Sequence, residues 1–84
     1  MMGGIPLDNR ICYLFFSGYY ATASASEILV KNHVENRIVK SPVMMRRGCN
    51  FTLRIDNEDT DISEYLLERE GIKIMNKIVV DGKF

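Results

Sequence analysis

A two-layer α+β sandwich, with a four-stranded antiparallel sheet and two helices on one face, is what three features of this sequence predict. Short apolar stretches with strand character are interleaved with two stretches of helical spacing. The connections between them are short. The chain's 84 residues leave room for a single hydrophobic core. Residues 1–10 are expected to form a flexible lead-in, and 11–84 the one domain. A chain of this size buries roughly 60–65% of its unfolded surface, so a second subunit would add to a modest stability.

Met1 to Arg10 is punctuated by Gly3, Gly4 and Pro6 and carries no period, as a lead-in does. Ile11 to Ser17 follows as the first strand, apolar on both parities and therefore central. Gly18-Tyr19-Tyr20 reads as a connection. From Ala21 to His33 the spacing is helical: Thr22, Ala25, Ser26 and Leu29 share the inner face, while Ser24, Glu27 and Lys31 point outward. Asn32 to Asn36 closes that helix. Arg37 to Ser41 is a second, short strand, ended by Pro42, which has no ladder donor. Val43 to Asn50 is a loop.

Phe51 to Ile55 is the third strand, with Phe51, Leu53 and Ile55 on one face and Thr52 and Arg54 on the other. Asp56-Asn57-Glu58-Asp59 is a turn, and Thr60 or Asp61 caps a second helix over 61–70. Ile62, Tyr65, Leu66 and the stem of Arg69 are expected to form its inner face. Gly71 suits a left-handed terminator. Ile72 to Val80 is the fourth strand, with an interruption at Met75-Asn76-Lys77.

The order strand, helix, strand, strand, helix, strand is that of the ferredoxin-like βαββαβ sandwich. Right-handed crossovers put both helices on one face. The first and third strands are expected side by side and parallel in the middle. The first strand presents Ile11, Tyr13 and Phe15 on one face and Cys12, Leu14 and Phe16 on the other, and two helices bury only one of these sets. The remaining patch predicts a homodimer packed through the sheet face, or a cover formed by Ile5-Pro6-Leu7.

Eleven basic residues balance eleven acidic ones, so no global field draws the chain to nucleic acid or to a membrane. The longest apolar run, Ile11 to Phe16, is far too short to span a bilayer, and no signal-peptide pattern opens the sequence. The expected location is the cytoplasm, with Cys12 and Cys49 as free thiols. His33 has no second ligand near it. No Cys-x-x-Cys or His-x-x-x-His is present, and the carboxylates of Asp56 to Asp61 lack the glycine and distal glutamate of a calcium loop. No metal and no cofactor are therefore expected. Tyr19-Tyr20 read as packing or interface residues rather than a base-stacking platform, and Met44-Met45 as adaptable apolar groups.

One stretch joins a reactive group to charged neighbours and a rigid base: Arg46-Arg47-Gly48-Cys49-Asn50, leading into the third strand. Positive surroundings lower a thiol's pKa and raise its thiolate fraction, which nucleophilic or sulfur-carrying chemistry requires. The plainer reading is an inert cysteine beside two solvated arginines, and the residues alone leave both open. Cys12 reads as core filling. The alternative is a resolving partner for Cys49, since the first and third strands are expected to start at the same end.

From about Ser17 to Ile74 the chain resembles a small bacterial and archaeal domain family of selenium/sulfur carrier-like proteins. That family's pattern is a strand, a helix with an early alanine and glutamate, and a proline after the second strand. Seven residues later comes a Cys-Gly pair entering an apolar third strand. Here these positions are Ala23, Glu27, Pro42 and Cys49, entering Phe51-Thr52-Leu53-Arg54-Ile55. Asn50 replaces the usual glycine and Arg46-Arg47-Gly48 a serine-rich approach; asparagine tolerates a left-handed turn better than most residues. The resemblance implies a carrier rather than a stand-alone enzyme. Cys49 would hold sulfur or selenium as a persulfide-type adduct, Arg46 and Arg47 would stabilise the anion, and a partner enzyme would receive the chalcogen. The competing class is a non-catalytic ligand-sensing or protein-interaction module of the same fold.

Overall fold

The structure, a computed structural model, describes residues 10–41 and 51–81. Its elements run β1 (Ile11–Phe15), α1 (Tyr19–Lys31), β2 (Arg37–Lys40), β3 (Phe51–Asp56), a 3-10 turn (Asn57–Asp59), α2 (Thr60–Arg69) and β4 (Asn76–Val80). The sheet order is β2-β3-β1-β4. This is the expected ferredoxin-like α+β sandwich, and every neighbouring pair is antiparallel.

The expectation of parallel central strands is thereby corrected. β1 and β3 are side by side, but Cys12 lies opposite Ile55 and Leu14 opposite Leu53 in an antiparallel ladder. A right-handed β–α–β crossover runs β1 and β2 parallel with a gap between them. β3 then returns through a hairpin into that gap, so it must oppose both.

On the helix side of the sheet, Cys12, Leu14 and Phe16 meet Leu53, Ile55, Ala25, Leu29, Leu66 and Leu67 in one core. Thr22, Ala25 and Leu29 are the buried residues of α1, as their spacing predicts. The small Ala25 leaves room for close approach to the sheet, and the Thr22 hydroxyl is satisfied by donating to the Gly18 carbonyl at 2.9 Å. Tyr19 and Tyr20 belong to the first turn of α1 rather than to a connection.

α2 is rotated from the expected orientation. Its buried residues are Thr60, Ser63, Leu66 and Leu67, whereas Ile62 and Tyr65 are 45% and 57% exposed. Ser63 and Thr60 are small, and turning them inward lets Leu66 and Leu67 reach the core together. Arg69 lies outside with its guanidinium 5.5 Å from the centre of the Tyr65 ring, a contact that draws cationic charge to the ring's face. The helix N-cap is Asp59, and Thr60 is its first residue. It stops at Gly71, where φ is 81°, a backbone state that suits glycine.

β4 starts at Asn76, four residues later than expected. Met75 donates its amide to the Phe15 carbonyl at 2.8 Å, while Asn76 is the register partner of Phe15. Two consecutive residues thus address one, as in a β-bulge. The Asn76 side-chain carbonyl then accepts the Lys77 amide at 2.9 Å.

Ile11, Tyr13 and Phe15 lie on the face away from the helices. Ile11 and Phe15 are only 4% and 7% exposed, and Tyr13 is half-buried. The open apolar patch expected on that face is therefore not present at Ile11 and Phe15. Thr52, fully buried on the same face, donates its hydroxyl to the Leu14 carbonyl at 2.7 Å. The Ile5-Pro6-Leu7 segment lies outside the described residues.

Candidate functional site

Cys49, Arg46 and Arg47 lie outside the described residues, as do Asn50, Met44 and Met45. The described residues do include the strand that this stretch enters. β3 begins at Phe51, opposite Lys40 at the end of β2. The Phe51 ring meets Tyr19 edge-on, with centroids 5.3 Å apart, an arrangement favoured by the aromatic quadrupole. Phe51, Leu53 and Ile55 are on the helix face as the alternation predicts, since Leu53 and Ile55 belong to the core.

The second cysteine has a different environment. Cys12 is flanked across the ladders by Ile55 on β3 and Val79 on β4, and none of its surface is exposed. Burial pushes its thiol above the ordinary cysteine range. The Thr60 hydroxyl and the Lys77 charge offset this only in part, and Glu64 adds to the rise. Such a thiol is a small apolar filler, not a nucleophile. Because β1 and β3 run antiparallel, Cys12 is opposite Ile55, four residues along β3 from Phe51. The ground for expecting Cys12 beside Cys49, a shared strand start, is removed.

His33 is exposed just beyond α1 with φ at 64°. Among the described residues no group of three His, Cys, Asp or Glu side chains is placed to hold a metal ion. No helix among them is long and apolar enough to cross a membrane. Asp59 is held above the usual carboxylate range, first by burial and then by the charges of Asp56 and Glu35. On α2, Glu64 pairs with Lys77 of β4, both well exposed. The pair raises the affinity of Lys77 for its proton and lines a cleft of about 580 Å³ with Glu68, Ile72 and Lys73.

One charged group was not singled out from the sequence. Arg37 and Arg54 are register partners on adjacent strands, and they line a cleft of about 310 Å³ with Glu35 and Asp56. The signal for it is strand register, which links residues 17 apart in the chain and has no local signature.

The family model described as "Putative Se/S carrier protein-like" matches residues 11–78. The chain belongs to this family. The match takes in β1 to the middle of β4 and spans the position of Cys49. No curated protein and no solved structure matches the chain.

Proposed function

We propose that the chain is a carrier of sulfur or selenium, with Cys49 as the carrying thiol. Membership of the carrier-like family, over a span that contains Cys49, is the observation that carries this reading. The burial of Cys12, the only other cysteine in the sequence, supports it by leaving one candidate thiol. Arg46 and Arg47 would stabilise the anionic adduct through charge-assisted contacts.

The step is an exchange without net redox change. The Cys49 thiolate attacks the outer sulfur of a donor persulfide, a new S–S bond forms on Cys49, and the donor's S–S bond breaks to leave its thiolate. The same exchange in reverse delivers sulfur to an acceptor protein. Location in the cytoplasm, where thiols stay reduced, fits this chemistry. Pairing of two copies through the sheet face would have less apolar surface to bury than expected, since Ile11 and Phe15 are already covered.

The test is intact mass after incubation with cysteine and a cysteine desulfurase. Wild type and Cys12→Ser gain a reductant-sensitive sulfur atom, and Cys49→Ser does not. No gain in wild type overturns the proposal and favours an interaction module, and a gain retained in Cys49→Ser overturns the assignment of Cys49 as the carrying thiol.

A further inference from the structure

The cleft between the start of β2 and the end of β3 holds charges of both signs in adjacent rows. Arg37 and Arg54 face each other across the ladder. Asp56 lies two residues beyond Arg54, Glu35 two residues before Arg37, and all four line the same space of about 310 Å³. Arg54 and Asp56, two apart on β3, share a face ~6.6–6.8 Å apart along the strand, and Glu35 lies in the segment just before β2. Among the described residues none of the four side chains takes part in an ion pair or side-chain hydrogen bond. Two arginines directly opposite each other weaken a ladder rather than strengthen it.

A ligand that satisfies both rows must carry both charges. A phosphate-type dianion that suited the arginines would meet Glu35 and Asp56. A polyamine that suited the carboxylates would meet Arg37 and Arg54. We infer that the cleft binds a free α-amino acid in its zwitterionic form. Its carboxylate accepts from the Arg37 and Arg54 guanidiniums, whose fork matches carboxylate geometry. Its ammonium donates to Asp56 and Glu35. Charge-assisted bonds of this kind are ~2.7–2.9 Å long at each end. The negative end is also marked by Asp59, whose carboxyl is raised in part by Asp56 and Glu35. This site is at the opposite end of β3 from Phe51 and stands independently of the carrier reading.

Isothermal titration of the full chain with L-alanine and L-serine tests the inference, with propionate, ethylamine and inorganic phosphate at matched ionic strength as half-ligands and controls. Saturable binding of both amino acids is expected, at least about tenfold tighter than either half-ligand because two charged contacts are lost with each half. The double variant Arg37→Ala/Arg54→Ala abolishes it. Arg54→Gln and Asp56→Asn, which remove one charge each, weaken it at opposite ends of the ligand and carry the test if the double variant does not fold. L-alanine binding no better than propionate, or binding undiminished in Arg54→Gln and Asp56→Asn, overturns the inference.

Discussion

Burial of Cys12 makes a quantitative claim about its chemistry. In a Cys49→Ser variant Cys12 is the only thiol, so alkylation by iodoacetamide reports on it alone. The side chain has no exposed surface and lies in the core with Leu14, Leu66 and Leu67. Reaching it requires α2 to leave the sheet, which dismantles that core and amounts to unfolding. At ~0.05–0.15 kcal/mol per residue a chain of 84 residues has a stability of ~4–12 kcal/mol. At ~5 kcal/mol, with each ~1.4 kcal/mol a factor of ten, alkylation is slowed ~10³–10⁴-fold relative to the unfolded chain. Mass spectrometry over time in increasing urea should show the rate climbing with the unfolded fraction. Native-state labelling within tenfold of the unfolded rate, while circular dichroism reports a folded chain, would refute the argument that Cys12 is out of play.

The remaining expectations concern the fold and its charges. Leu67→Ala should cost ~2–5 kcal/mol in urea denaturation, whereas Ile62→Ser should stay within ~0.5 kcal/mol; equal costs would put α2 back in the orientation its apolar stripe implies. Thr52→Val keeps the shape but removes the donor to the Leu14 carbonyl, and a loss of ~1 kcal/mol is expected; an unchanged midpoint would show that this bond adds nothing. Asp59 has a folded pKa raised above its unfolded value of 3.8. Its stabilising contribution is therefore full below that value and lost as pH rises through the folded pKa, leaving a destabilising charge at neutral pH. Asp59→Asn should accordingly raise the melting temperature at neutral pH and lose the advantage in acid; a lowered melting temperature at neutral pH would reverse the sign of the argument.

Much of the sheet is legible because its signals are local. Phe51, Leu53 and Ile55 alternate with Thr52 and Arg54, and the paired faces follow directly. Thr22, Ala25 and Leu29 mark the inner side of α1 by spacing alone. α2 is misleading because Ile62, Tyr65 and Leu66 form a good apolar stripe while Ser63, which is fully buried, looks polar. The decision between these faces depends on how closely small side chains let the helix approach the sheet, a tertiary matter. Strand direction is likewise absent from any single stretch. It follows only from counting a crossover and then a hairpin, and on that count rests the separation of Cys12 from the start of β3. The carrier stretch around Cys49 was legible as chemistry and as family resemblance, but it lies outside the described residues. The Arg37–Arg54 juxtaposition could not be read locally, because neither residue is distinctive until register places them together.

The two outer strands of the sheet have a bearing on the chain's behaviour in a crowded, concentrated solution. A free strand border is a template on which another chain can lay down its own backbone. β2 carries Arg37 and Lys40 at its ends, so a second β2 arriving there meets like charges. β4 discourages addition by shape instead, with the irregular pairing at Met75 and Asn76 and an amide at Lys77 already taken by its neighbour's side chain. On the function proposed above, the chain meets donor and acceptor proteins briefly and lets each of them go. With both borders guarded, those meetings fall to side chains and loops, and the sheet itself is kept from recruiting strands into growing aggregates.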